Sequence, residues 1–295
     1  MKIYIAGLNN IEGKIGGGHS FTRNFAELVK DLLVNTLEEC DIFFVTGATL
    51  VTRSEFEKAV DMKKKIVVRV DGVPEDWRNR GTGWSRLRDY ASKANHVICQ
   101  SVSISNTIGR LLNAKQCVIY NGIDQSIFKK EGDRFPEFGK PSILYCNFRK
   151  GEHNKRVEEA IERFRYFKLD NPKSTMTFVG NFSKQQFLWN GKDWDFGMLD
   201  MEKNKDWQYL GIVPERENLA KIMRSCDYIA FPSFADPCPN TLIEAMSCGC
   251  KPLWVNSYGG QANIVDEWTN IDWSRDRMVK EYLYLFERVL NDTAN

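Results

Sequence analysis

The chain contains 295 residues, of which 42% are hydrophobic and 27% charged, and its net charge is +2. This length excludes a peptide or a small disulfide scaffold and predicts two domains with their own cores. The composition is that of a globular protein, which excludes a largely disordered chain.

The cysteines and the apolar segments bear on where the protein resides. The eight cysteines lie mostly inside apolar runs and form no C-x-x-C pair, which predicts buried free thiols. The first ten residues hold only a short apolar run, and no later run approaches the roughly 18 apolar residues that a membrane span requires. We therefore expect a cytoplasmic protein without a transmembrane segment.

Short β-branched or aromatic runs alternate with segments of helical period along the first 125 residues. This pattern is typical of parallel sheets covered by helices. Residues 2–7 predict the first strand, a glycine-rich loop follows, and residues 21–33 place their apolar side chains on one face of a helix. Further strands are predicted over residues 41–45, 65–70, 96–99 and 117–120.

A polar stretch rich in glycine and proline interrupts this alternation, and we interpret residues 126–141 as a linker between domains. Beyond it, strands are predicted over residues 142–146, 175–180, 209–213, 227–231 and 251–255. A final amphipathic helix is predicted over residues 277–290. The predicted fold class is α/β, with two Rossmann-like domains, 1–125 and 142–274, that face a central cleft, and a C-terminal helical segment, 275–295.

The segment from Phe231 to Leu253 carries the strongest functional signal. A strand leads into a proline-rich loop with Asp236, and a helix is predicted to begin near Asn240 as its N-cap, with Glu244 in its first turn. Amides at a helix start bind anions, and two carboxylates accept hydrogen bonds from hydroxyl groups. The pattern favours a nucleotide-sugar site. Taken singly, Glu244 is also typical of an acid near a helix start, and Asp236 of an Asp-Pro turn.

These residues resemble a known family. Asp236 and Glu244, followed by Gly249 and Pro252, are similar to the E-x7-E signature of family 4 of the retaining glycosyltransferases, in the variant whose first acid is Asp. Further matching motifs occur in the same order: GGGHS at 16–20, RVDG at 69–72, YNGID at 120–124, YLGIVP at 209–214 and FPS at 231–233. The resemblance implies the GT-B fold, with the donor bound mainly by the C-terminal domain, the acceptor by the N-terminal domain, and the final helix returning to the N-terminal domain.

The resemblance also implies roles for individual residues. Arg149 and Lys155 would hold the donor diphosphate and stabilise its developing charge without a metal. Asp236 would contact the sugar. The role of Asp71 comes from its own position and not from the resemblance, because a carboxylate at the carboxyl edge of a strand can orient the acceptor hydroxyl or the sugar. The implied substrate-binding residues are Gly16, Gly17, Gly18, His19, Asp236, Pro237, Cys238, Pro239, Asn240, Thr241 and Glu244. The implied nucleotide-binding residues are Gly180, Gly211, Ile212, Val213, Leu242 and Glu244.

Three further sequence features bear on alternative functions. Asp71 stands where many family members carry a histidine, and an Asp-Gly pair is also typical of a turn. The sequence Asp193-Trp-Asp195 resembles a metal-binding pair, but it falls in a polar loop of a chain with only three histidines, so we expect no metal and no cofactor. The sequence lacks the G-x-G-x-x-G and G-x-x-x-x-G-K-[ST] motifs, which argues against dinucleotide oxidoreductases and P-loop enzymes.

The acceptor is the least defined part of the prediction. Residues 62–93 carry nine basic and four acidic residues together with Trp77 and Trp84. This is typical of a solvated helix face, or of a surface for an anionic acceptor such as a phosphate-bearing lipid, a phosphorylated glycan or nucleic acid with a hydroxylated DNA base. The sequence predicts a retaining transferase that moves a sugar from a UDP- or GDP-sugar to a hydroxyl group of a glycan, lipid or nucleic acid. The alternatives are a sugar-nucleotide epimerase and a non-catalytic nucleotide-sugar-binding module.

Overall fold

The computed structural model describes residues 1–8, 17–72, 83–135, 139–146, 155–180, 187–189, 192–194 and 206–292. The chain divides into two compact units. Unit 1 comprises Met1–Gly122 and Asp272–Asn295, and unit 2 comprises Ile123–Ile271. The first and last segments of the chain therefore belong to the same unit, and residues 126–135 of the predicted linker belong to unit 2.

Unit 1 contains a parallel five-stranded sheet whose strands lie side by side in chain order. The strands are β1 (Ile3–Ile5), β2 (Ile42–Val45), β3 (Lys65–Arg69), β4 (His96–Cys99) and β5 (Gln116–Val118). The helices between them are α1 (Gly17–Leu28), α2 (Arg53–Asp61), α3 (Gly83–Lys93) and α4 (Val102–Thr107).

Unit 2 contains a second parallel five-stranded sheet with a different order. Its strands are β6 (Ser142–Cys146), β7 (Thr175–Val179), β10 (Trp207–Tyr209), β11 (Tyr228–Ala230) and β12 (Lys251–Leu253), and β8 (Phe187–Trp189) and β9 (Lys192–Trp194) form a separate antiparallel pair. The helices of unit 2 are α5 (Val157–Asp170), α6 (Arg216–Ser225), α7 (Asn240–Ser247) and α8 (Gly260–Asp266). Helix α9 (Arg275–Asn291) follows and belongs to unit 1.

The strand order of unit 2, β10-β7-β6-β11-β12, creates a topological switch point. After β6 the chain adds β7 and β10 on one side of the sheet, and then β11 and β12 on the other side. Strands β6 and β11 are therefore neighbours whose following segments lead to opposite sides. Doubly wound sheets bind ligands outside the carboxyl ends of such strands, so the topology points to the loops that follow Cys146 and Ala230.

The core of unit 1 follows from the alternation of side chains along its strands. Ile42 and Phe44 of β2 pack in one cluster with residues of α1 and α9, whereas Phe43 and Val45 pack in the other with residues of α2, α3 and α4. Successive strand residues point to opposite faces, which is why one short strand supplies both clusters. The ring of Phe286 in α9 lies 5.2 Å from that of Phe44, so the last helix completes one face of the core.

Two expectations from composition can be compared with the structure. All eight cysteines are free, six of them buried and two half-buried, as the apolar sequence around them predicts. Within the described ranges, no helix combines the length and the apolar character needed to cross a bilayer.

Candidate functional site

Two oppositely charged side chains meet at the switch point of unit 2. Lys155 follows β6 and Asp236 follows β11, and the Lys155 ammonium group donates a hydrogen bond to the Asp236 carboxylate. Both side chains are largely buried, with exposed fractions of 21% and 14%. The hydroxyl group of Tyr145 donates to the Lys155 carbonyl at 2.9 Å and so fixes the backbone of the lysine. A cation and a carboxylate are thus held at the point where doubly wound sheets bind ligands.

A buried glutamine holds the loop that presents Asp236. Gln261 of α8 is fully buried. Its carbonyl oxygen accepts a hydrogen bond from the Asp236 amide at 3.1 Å, and its amide nitrogen donates to the Ser233 carbonyl at 3.0 Å. Gly259 has a φ of 103°, and a Cβ atom there would lie only 2.8 Å from the Cα atom of Ala235, so glycine is required for the close approach of the two loops.

Glu244 is a buried acid on the same side of unit 2. Its side chain in α7 is 11% exposed, and Arg216 of α6 donates a hydrogen bond to it over 3.3 Å. Burial raises the pKa of Glu244 to about 7, and the nearby Arg216 opposes that rise. Burial, and to a smaller extent the charge of Glu244, raise the pKa of Cys146, at the end of β6, to about 12, so this thiol is protonated near neutral pH.

Helix α7 begins differently from the prediction. Pro239, not Asn240, is the N-cap, with extended backbone angles of φ −74° and ψ 111° and no capping side chain. Asn240 is the first helical residue, and Glu244 consequently lies in the second turn. The proline ring fixes φ near this value, so the proline sets the start of the helix. First-turn amides of an α-helix lack acceptors within the helix, and this end of α7 can therefore face an anion.

The remaining predicted substrate- and nucleotide-binding residues of this segment differ in accessibility. Pro237 and Thr241 are half-buried, Pro239 and Cys238 are buried, and Leu242 is fully buried, so the side chain of Leu242 packs in the interior of unit 2.

The glycines after β7 and β10 bring two loops of unit 2 together. The Gly180 amide donates to the Gly211 carbonyl at 2.8 Å, and both glycines have positive φ angles, 139° and 67°. Tyr209 donates through its hydroxyl group to the Gly180 carbonyl at 2.9 Å. Beyond them Ile212 is 48% exposed and Val213 is half-buried. The structure thus places these four predicted nucleotide-binding residues at the carboxyl ends of two adjacent strands.

In unit 1, Asp71 lies beside two glycines at the carboxyl end of the sheet. A Cβ atom on Gly18, in the first turn of α1, would be 3.3 Å from the Asp71 carboxylate, and one on Gly47 would be 2.6 Å from it. His19 follows in α1 and is half-buried. The structure therefore brings the predicted Gly18 and Asp71 together, and it adds Gly47, which sequence reasoning missed.

A buried polar network supports the strand end that carries Asp71. Arg69 is 2% exposed, donates to the Asn121 side chain at 3.1 Å and to the Thr46 carbonyl at 3.2 Å, and lies 3.7 Å from the centre of the Phe21 ring. The Asn121 amide group donates in turn to Gln100 at 3.2 Å. The RVDG and YNGID motifs thus contact each other through Arg69 and Asn121.

Several predicted positions lie outside the described residues, namely Gly16, Arg149, Asp195 and Trp77. Gly17 is the first residue of α1, and Asp193 lies in β9. Within the part of the chain that the structure describes, no three His, Cys, Asp or Glu side chains are grouped so as to hold a metal ion.

Comparison with protein families identifies the family of this chain. The family model "Glycosyl transferases group 1" matches residues 129–293, more than half of the chain. The chain belongs to this glycosyltransferase family. Comparison with curated protein sequences gives no match.

Solved structures of other proteins share the fold of this glycosyltransferase. Sucrose-phosphate synthase from Thermosynechococcus elongatus aligns with a TM-score of 0.65 and 13% identity over 98% of this chain and 96% of its own. HepE from Anabaena, in complex with UDP, aligns with a TM-score of 0.65 and 16% identity over 99% and 91%. The pneumococcal O-GlcNAc transferase GtfA, in complex with UDP and GlcNAc, aligns with a TM-score of 0.59 and 15% identity over 94% and 61%.

These findings confirm the predicted α/β fold of the GT-B class and the prediction of a glycosyltransferase. The matched residues, 129–293, include all strands of the parallel sheet of unit 2, its switch point between β6 and β11, and the Lys155–Asp236 pair. The glycosyltransferase therefore carries its charged pair inside the region that defines the family.

Proposed function

We propose that this glycosyltransferase is a retaining enzyme of the family 4 type that transfers a sugar from a nucleoside diphosphate sugar to a hydroxyl acceptor. The observation that carries the proposal is the Lys155–Asp236 pair at the switch point of unit 2. Such a pair offers a cation for a diphosphate and a carboxylate for sugar hydroxyl groups at one place.

The surrounding residues fit a donor of this chemistry. Glu244, on α7, is a buried acceptor suited to ribose hydroxyl groups, and the start of α7 offers amides for a phosphate. Lys155 would stabilise the negative charge that grows on the departing diphosphate, because a fixed cation needs no reorganisation during the reaction. We assign Arg149 the same role by family resemblance.

The retaining course needs no nucleophile from the protein. In retaining enzymes of this type the acceptor hydroxyl attacks from the face that the diphosphate leaves, and a phosphate oxygen takes the proton. Asp236 would then orient the sugar through its hydroxyl groups, and Asp71 of unit 1 would orient the sugar or the acceptor hydroxyl. We propose UDP as the first donor base to test, because the HepE structures contain UDP and UDP-glucose.

The first test is a thermal-shift measurement with UDP, GDP and their sugars, with and without EDTA. A ligand that binds only the folded protein raises its melting temperature, so a shift by UDP or GDP forms names the base. An equal shift in EDTA supports donor binding without a metal. The absence of a shift with every nucleotide would contradict the proposed donor class.

The second test measures turnover in variants of the charged residues. Lys155→Ala and Glu244→Ala should each lower activity by at least about a hundredfold, equivalent to about 2.7 kcal/mol. Lys58→Ala is the matched control, since Lys58 also pairs with an acid, Glu38, but on the exposed surface of unit 1. Turnover near that of the wild type in Lys155→Ala would refute the assigned role.

A further inference from the structure

Arg216 lies beside Glu244, the buried acid that the proposed function assigns to the ribose of the donor. Its Nη2 group donates a hydrogen bond to Oε1 of Glu244 at 3.3 Å. Among the described residues, no other side chain donates to this carboxylate. One oxygen of Glu244 is therefore tied to a cation, and Oε2 keeps its capacity to accept hydrogen bonds from a ligand.

The local sequence does not explain an arginine at this position. Arg216 is the first residue of α6 and follows the N-cap Glu215. The amino end of a helix carries a partial positive charge, so a cation there lowers the stability of the helix. The Nε group of Arg216 is also buried and has no hydrogen-bond partner in the described part of the chain, which is a second destabilising feature. Residues that conflict with local stability in this way are expected at functional sites.

An aromatic ring holds the guanidinium group of Arg216 in place. The guanidinium lies 5.0 Å from the centre of the ring of Phe128, which is only 1% exposed. The face of an aromatic ring is negative and attracts a cation. The contacts with Phe128 and Glu244 thus fix the position of this charge, and all three residues belong to unit 2.

The charges around Glu244 make Arg216 the group that controls its ionisation. Burial raises the pKa of Glu244 to about 7, and the charge of Arg216 opposes this rise. The thiols of Cys146 and Cys248 also interact with the charge of Glu244, but burial raises their pKa values to about 12 and about 11, so both are neutral near pH 7. Without Arg216 the acid would be protonated at neutral pH. A protonated carboxyl group accepts weaker hydrogen bonds than a carboxylate does.

We propose that Arg216 is a positioning residue for the donor, which holds Glu244 as an oriented carboxylate whose remaining oxygen accepts hydrogen bonds from the ribose hydroxyl groups. Arg216 itself acts through Glu244 and needs no contact with the donor. The inference rests on the proposed function, in which Glu244 binds the ribose, and it adds the residue that keeps this acid in its binding form. Removal of the Arg216 charge should therefore weaken binding of the ribose and leave binding of the diphosphate unchanged.

The test measures the dissociation constants of UDP and 2′,3′-dideoxy-UDP by isothermal titration calorimetry, over a pH range from about 5 to about 9 that brackets the ionisation of Glu244. The two ligands share the base and the diphosphate, so the ratio of their affinities isolates the ribose hydroxyl groups although phosphates also titrate in this range. Arg216→Gln removes the charge and Arg216→Lys keeps it, and the 40% exposed side chain makes both changes compatible with folding. Arg163→Gln is the matched control, because Arg163 of α5 also pairs with an acid, Glu159 at 2.7 Å, and is 49% exposed.

The wild type should bind UDP at least about tenfold more tightly than the dideoxy analogue at pH 8, and this preference should decrease as the pH falls through 7. In Arg216→Gln the pH at which half of the preference is lost should be higher by at least about one unit. Its affinity for the analogue should be unchanged, which shows that unit 2 is folded. Arg216→Lys and Arg163→Gln should follow the wild type.

Two results with Arg216→Gln would overturn the inference: the pH curve of the wild type, or an equal loss of affinity for both ligands, since a merely structural role weakens both alike. Failure of the proposed function is visible in the wild type instead. Equal binding of UDP and its analogue by the wild type at pH 8 would refute the ribose role of Glu244, on which the inference rests, and the absence of binding by either would refute the proposed donor base.

Discussion

The ionisation of Glu244 links the proposed donor site to the stability of unit 2. Burial raises the pKa of this carboxyl group from 4.5 to about 7 in the folded protein. An acid whose pKa is raised by folding binds its proton more tightly in the folded than in the unfolded state. Its protonation therefore favours folding below pH 4.5, and this contribution is lost as the pH rises through 7. At pH 8 the folded protein holds a buried carboxylate with Arg216 as its ionic partner.

Replacing Glu244 by glutamine should remove this pH dependence. Glutamine keeps an acceptor for Arg216 but carries no charge, so the stability of Glu244→Gln relative to the wild type should increase from pH 5 to pH 8. The full pKa difference corresponds to about 3 kcal/mol. Thermal melting at both pH values measures the change, and Glu281→Gln, an exposed acid of α9, is the control. If the difference in melting temperature between Glu244→Gln and the wild type is the same at both pH values, the raised pKa of Glu244 is contradicted.

A second prediction concerns the space around Asp71. A methyl group on Gly47 would lie 2.6 Å from the carboxylate oxygen of Asp71 and 2.8 Å from its Cγ atom, so Gly47→Ala must displace this side chain. From the role proposed for Asp71 we expect about a hundredfold loss of turnover, since misplacing a group that takes part in the reaction by about 1 Å has that effect. The thermal shift with UDP should persist. Gly83→Ala is the control, because its methyl group would make an ordinary 3.8 Å contact. Full activity of Gly47→Ala would exclude Asp71 from the reaction.

Sequence could identify some of these residues and not others for a physical reason. Asp236 and Glu244 stand in one short segment, so their spacing is visible in the sequence. Their partners Gln261 of α8 and Arg216 of α6 are 25 and 28 residues away and meet them only because the fold of unit 2 brings separate elements together. Gly47 likewise shows its role only once Asp71 is placed beside it.

At the scale of elements, the hydrophobic pattern identified most strands of the two parallel sheets but not their neighbours. It did not predict β8 and β9, and it placed the strand of residues 209–213 too late in the chain, since β10 covers Trp207–Tyr209. Periodicity reports which face of a segment is buried, and it carries no information on which strand lies beside which. The chain-ordered sheet of unit 1 and the switch point of unit 2 come only from the structure. The start of α7 was also misplaced, because Asn240 is a good N-cap by composition while Pro239 takes that position by its fixed backbone angle.

Arg224 of α6 holds an irregular segment of unit 2, residues 127–133, and supports a prediction at this scale. This buried side chain donates to the carbonyls of Asp133 at 2.7 Å, Ile127 at 3.2 Å and Lys129 at 3.4 Å. Arg224→Met should destabilise unit 2 by about 3 kcal/mol, since it leaves these carbonyls without their donor. Hydrogen exchange should accelerate over residues 127–133. Arg163→Met, on the exposed face of α5, should leave the exchange unchanged, and equal rates in both variants would contradict this role.

At the scale of the whole molecule, the chain leaves unit 1 after Gly122 and returns to it at Asp272. Unit 1 is therefore built from two segments that are far apart in the sequence, whereas unit 2 is continuous. The apolar stripe of α9 predicts a buried face, but it does not say which core the helix joins. The contacts of Tyr282 and Phe286 with Phe25 and Phe44 place α9 in unit 1.

This division predicts that a core substitution in α9 destabilises unit 1 and leaves the stability of unit 2 unchanged. Phe286 is fully buried between Phe25 and Phe44, so Phe286→Ala should destabilise unit 1 by about 4 kcal/mol. Hydrogen exchange measured by mass spectrometry should then accelerate in β2 of unit 1 and remain unchanged in β6 of unit 2, with an unaltered thermal shift by UDP. Tyr284→Ala, an exposed residue of the same helix, is the matched control and should change neither. Equal acceleration in β2 and β6 would mean that both units unfold together, because a core defect confined to unit 1 reaches β6 only through a shared unfolding step.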